Sequence, residues 1–150
     1  MNDRYLYKAK RKDNGEWVEG CLLIDYVTGQ YFIHAYGNSV NESAKIGEEG
    51  CLRFVAFDVE PSTICQCTGI KDRNSELIWE NDIVSAWSEG ANAIGNVKKR
   101  QDGLYIMYPA YQKQEFWGLC PDESGRTTVE VIGNIFDNLE LLKGENNHEE

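Results

Sequence analysis

The chain has no apolar run approaching the ~20 residues that span a bilayer. Its start, Met1-Asn2-Asp3-Arg4-Tyr5, has no hydrophobic signal core. Both absences place the expected site of action in the cytoplasm, away from membranes. Positive charge is scarce: 15 Lys and Arg stand against 25 Asp and Glu, a net charge of −10. That balance disfavours duplex nucleic acid, which needs a positive surface. It favours solubility and basic partners. The chain also lacks a Gly-rich phosphate loop, a helical His-Glu metal motif and a nucleophile elbow. Ser85 and Ser88 have no recognisable His partner. His34 and His148, the two histidines, lie in dissimilar contexts. No catalytic residue is assigned, and the expectation is a protein that is not an enzyme.

Five cysteines occur, at 21, 51, 65, 67 and 120. An odd number without a secretion signal reads as reduced thiols. Cys65-x-Cys67 does not have the two-residue spacing of a zinc knuckle. On a strand, positions i and i+2 share one face, so both thiols are expected in a core. No metal and no cofactor is expected.

Short β-branched and aromatic runs separated by turn residues fill most of the chain. Strand candidates are 4–10, 17–24, 31–35, 52–59, 83–87, 94–99, 104–108 and 127–132. Asp13-Asn14-Gly15, Thr28-Gly29 and Asp102-Gly103 mark turns. Residues 36–50 read as a long surface loop, and 88–92 as a break. Glu60-Pro61 marks a join. The fold expected is mainly β, with short antiparallel strands. An N-terminal β subdomain over 1–61 precedes a small SH3-like barrel over 62–143, built from five strand-like runs. Residues 144–150 form an acidic tail expected to be disordered.

The centre is 63–84, TICQCTGIKDRNSELIWENDIV. It reads as strand, polar turn, short strand, second turn and strand. Three blocks in and after it carry a family resemblance: Thr68-Gly69-Ile70-Lys71-Asp72, then Glu80-x-Asp82-Ile83-Val84, then Glu130-Val131-Ile132-Gly133-Asn134-Ile135. In their order and spacing they resemble the YopX family of phage and prophage proteins, clearly over 63–142 and more loosely over 4–23. The resemblance implies a phage-derived gene product and makes Thr68, Gly69, Lys71, Asp72, Glu80, Asp82, Gly133 and Asn134 the motif positions. Ser75 and Asn81 stand where that family usually has glycine. Asparagine accepts positive φ readily and serine less so.

Glu80 and Asp82 could form an acid–base or metal pair. The simpler reading has Asp82 accepting backbone N–H groups in a turn. Lys98, Lys99 and Arg100 beside Tyr105, Tyr108 and Tyr111 could hold phosphates and stack bases. Arg4, Lys8, Lys10, Arg11 and Lys12 form a second basic cluster. Charged residues on strand edges also discourage aggregation. Aromatic surplus without a catalytic constellation favours an accessory protein that self-associates and binds a protein partner. A small nucleic-acid-binding barrel is the alternative.

Overall fold

Alternation along the strands selects which side chains form the two apolar cores. The computed structural model describes residues 5–35, 55–88, 91–109 and 116–142. The loop at 36–50 and the tail at 144–150 lie outside the described residues. The chain divides into two units, 1–66 and 67–150.

In the first unit, β1 (Tyr7–Lys10), β2 (Trp17–Asp25), β3 (Gln30–Ala35) and β4 (Val55–Asp58) form an antiparallel series. Directly paired residues share a face. Ala9 lies opposite Val18, and Ile33 opposite both Leu22 and Phe57. Ala9, Val18, Ile33, Ala35, Phe57 and Val59 accordingly make one buried cluster. A single 3-10 turn, Pro61–Thr63, leads into β5 (Cys65–Lys71), whose first residues pair with β1. Thr63 ties the turn down: its Oγ1 accepts the Lys10 N–H at 2.9 Å and donates to the Glu60 carbonyl at 2.7 Å. Cys65 and Cys67 are both buried, as their i, i+2 spacing predicts.

The second unit holds the end of β5, β6 (Leu77–Trp79), β7 (Asp82–Ser88), β8 (Ala91–Lys99), β9 (Tyr105–Pro109), β10 (Trp117–Gly118) and β11 (Glu130–Asn134). Val84, Ala86, Ala93, Val97, Tyr105, Met107, Leu119 and Val129 pack with Ile78 into its core. β8 begins at Ala91, so Ala91 and Asn92 belong to the strand and not to a break at 88–92. β11 begins later than expected, at Glu130, because the Thr127 N–H and hydroxyl both donate to the Lys71 carbonyl and hold 127 off the ladder.

The barrel expectation is overturned. Strand orders are β4-β3-β2-β1-β5-β6 and β10-β9-β8-β7-β11, all antiparallel. Among the described residues neither sheet closes into a barrel; one isolated bridge, Arg11 to Val59, joins the chain after β1 to the end of β4. Closure would need the first and last of the five runs to pair around a staggered ring. Here β5 pairs with β1 and β6, while β7 pairs with β8 and β11. Strand count and turn spacing were the same for both outcomes; the choice of partner was not.

Ser75 (φ 67°) and Asn81 (φ 73°) are the positive-φ residues other than glycine among those described. The Asn81 side chain has work there, accepting from Lys98 Nζ at 2.7 Å. Left-handed backbone costs a residue with a Cβ about 1–2 kcal/mol. Ser75→Gly is therefore expected to stabilise the chain by about 0.5–1 kcal/mol, after the entropy glycine loses on folding. Asn81→Gly should gain nothing, because it forfeits the Lys98 bond. Urea midpoints for the two variants test this; a lower midpoint for Ser75→Gly would refute it.

Candidate functional site

The motif residues are occupied with backbone. Asp72 is 1% exposed. Its Oδ1 accepts the N–H groups of Asn74 and Glu76, at 2.8 and 2.9 Å, and its Oδ2 accepts that of Val131 at 3.1 Å. One carboxylate thus closes the β5–β6 turn and fastens β11. Thr68 Oγ1 donates to the Ile78 carbonyl at 2.7 Å and accepts the Ile70 N–H at 3.0 Å. This bridges an irregularity in β5–β6 pairing between Cys67 and Lys71. Gly69 sits within it at φ 79°, a backbone that suits glycine.

Asp82 is buried, and its Oδ2 accepts the Trp79 N–H at 2.8 Å, as the turn reading expects. Glu80 is half-buried in the same turn. Asn134 Oδ1 accepts the N–H groups of Phe136 and Asp137, both at 2.9 Å. A Cβ on Gly133 would meet the Asn138 side chain at 2.6 Å, so close approach demands glycine there. Lys71 contributes main chain: its N–H donates to the Gly125 carbonyl at 2.8 Å, and its carbonyl receives Thr127.

The basic cluster is spread over different environments. Lys98 is half-buried and bonded to Asn81. Lys99 is exposed, with its ammonium 6.0 Å from the Tyr105 ring centroid. Arg100 lies over the Phe116 ring at 4.7 Å and pairs with Asp102 at 3.4 Å. Tyr105 belongs to the core cluster and is 8% exposed. In the N-terminal cluster, Lys8 and Lys10 sit over the Trp17 ring at 4.8 and 5.5 Å. Arg11 pairs with Asp13 at 2.6 Å. Tyr111 and Arg4 lie outside the described residues.

The concave surface is elsewhere. A cavity of about 340 Å³ on the second unit is lined by Trp87, Met107, Trp117, Leu119, Cys120 and Val129, among others. Adjoining it is a wider, open recess of about 610 Å³ that shares Trp87, Cys120, Thr127 and Thr128 and adds Arg73, Asp122 and Arg126. Its rim is built by two turns. The Arg73 N–H donates to the Val129 carbonyl at 2.8 Å, which fixes the β5–β6 turn against 127–129. Asp122 Oδ1 accepts the Ser124 hydroxyl at 2.6 Å and the Ser124 and Arg126 N–H groups at 2.8 and 3.2 Å. The Ser124 hydroxyl, then these N–H groups, hold the Asp122 carboxyl below the usual carboxylate range. The turn that presents Arg126 is therefore held by an ionised acceptor, whose contribution fades only as acid protonates it.

Sequence reasoning did not find this groove. Its residues come from 73, 86–87, 107 and 117–129, and only strand pairing brings them together. The signal available was a tryptophan at 87, exposed in a strand where Asp82, Ile83, Val84 and Ala86 are buried.

No helix among the described residues is long and apolar enough to cross a membrane. No curated protein matches the chain. A family model described as YopX protein matches residues 6–143. With the motif blocks fastening β5, β6, β7 and β11 to one another, and the match running over most of the chain, this protein belongs to the YopX family of phage and prophage proteins.

Proposed function

We propose that the chain is a non-enzymatic, cytoplasmic protein-binding module that self-associates. The observation that carries this reading is the tip of the β2–β3 hairpin. Tyr26 is 89% and Val27 94% exposed, with Leu23 and Ile24 beside them also exposed. Leu23 pairs with Phe32 and Ile24 with Tyr31, so the two lie on opposite faces of the ribbon. Among the described residues, pairing of β3 on its other side ends at Tyr31, whose carbonyl accepts the Val59 N–H at 3.1 Å, so the tip beyond it rests on two strands.

The tip is nevertheless fixed. Asp25 Oδ1 accepts the N–H groups of Val27 and Thr28 at 2.9 and 3.3 Å, and the Gly29 N–H donates to the Asp25 carbonyl at 2.7 Å. Those first two N–H groups hold the Asp25 carboxyl below its usual range. A rigid turn that displays a tyrosine and a valine outward suits a contact with another chain, since an ordered aromatic contributes large area at small entropic cost.

Tyr26→Ser with Val27→Ser is expected to leave the urea midpoint within about 0.5 kcal/mol of the parent, as for surface changes. The same variant should weaken self-association by about tenfold or more. Light scattering across a dilution series reads this. A parent that is monomeric at all concentrations, or a variant that associates like the parent, would remove the proposal's support.

A further inference from the structure

The groove on the second unit has two compartments of different chemistry. Met107, Leu119 and Val129, all buried core residues, contribute to the smaller one with Trp87 and Trp117. Its volume of about 340 Å³ is at the lower end of ligand sites and suits one bulky apolar side chain. Arg73 and Arg126 are exposed and line the adjoining recess. Neither forms a salt bridge among the described residues. Asp122 stands near Arg126, but its Oδ1 is engaged by its own turn. The guanidinium fork matches a carboxylate in two parallel bonds.

We propose that this groove receives an extended acidic peptide segment bearing one bulky apolar side chain. The side chain enters the compartment lined by Trp87 and Trp117, and a carboxylate meets Arg73 and Arg126. A nucleic-acid strand carries charge at every nucleotide, whereas cations line only the wider recess here. The net charge of −10 repels any anion at long range, and a strand charged at every nucleotide more than a segment with one or two carboxylates, so the attraction here is local to the two arginines. A short acidic segment puts its charge where the arginines are and its apolar group where the tryptophans are. Cys120 is exposed and lines both compartments, so its thiol reports occupancy.

This deepens the protein-binding reading but fails separately from it, since the hairpin-tip variant changes no residue that lines the groove. The probe is a fluorescent peptide with a phenylalanine flanked by glutamates, titrated by anisotropy into the whole chain. Companion peptides carry lysine for glutamate or alanine for phenylalanine. Both should bind weaker by about tenfold or more. Arg73→Glu with Arg126→Glu, and separately Trp87→Ala, should weaken the parent peptide by a similar factor. All these side chains are exposed, so urea midpoints should hold. In the unmutated chain, the acidic peptide should slow alkylation of Cys120 and leave Cys21 unchanged. The proposal is overturned if acidic and lysine peptides bind alike, or if the double arginine variant keeps its affinity. It is also overturned if a short oligodeoxythymidine binds more tightly than the acidic peptide.

Discussion

Replacing Asp72 with alanine is expected to lower stability by roughly 3–5 kcal/mol, a large share of what a domain this size possesses. The carboxylate is buried and accepts three backbone N–H groups, from Asn74, Glu76 and Val131. Alanine leaves these donors without the partner that replaced water, and each orphaned donor costs about 1–3 kcal/mol. Solvent entering the vacated space returns part of that. Asp72→Asn should fall between parent and alanine. Its amide oxygen can keep Asn74 and Glu76, but its NH₂ would then face the Val131 N–H, donor against donor. The check is a pair of urea curves, with amide exchange at Val131 as the local readout. An alanine variant within about 1 kcal/mol of the parent would show that water can replace this carboxylate.

The next largest effect is expected at Trp79. It is 5% exposed and precedes the turn whose Asp82 carboxylate accepts its N–H. Trp→Ala in a core typically costs about 3–5 kcal/mol, from lost apolar burial and the cavity left behind. Trp79→Ala should therefore shift the denaturation midpoint strongly, whatever it does to association. Should the variant keep the parent's midpoint and lose only self-association, Trp79 would be an interface residue and not a core one. Ile78 and Trp79 are adjacent, yet both are buried. Simple alternation would expose one of two neighbours. β6 is only three residues long and is buried on both sides, so its pattern could not be read from period alone.

The sequence by itself determined most of the strands in the first unit. β1, β2 and β3 have alternating or β-branched runs bounded by turn residues, and local chemistry decides such elements. It also determined the buried thiols of 65 and 67 and the turn role of Asp82, since these rest on neighbours within a few positions. The motif residues were legible as a set, but not their work. That Asp72 reaches Val131, and that Lys71 holds Thr127, are pairings over more than fifty positions.

Tertiary structure alone decided that the sheets stay open, because closure depends on which strands pair and not on how many there are. It alone placed Tyr105 in the core and Lys98 beside Asn81, while the spacing had grouped them as one basic, aromatic patch. A strand sends successive side chains to opposite faces. Contiguous charges such as 98–100 are thus separated on folding, and distant residues such as Arg73, Trp87, Cys120 and Arg126 come to line one groove.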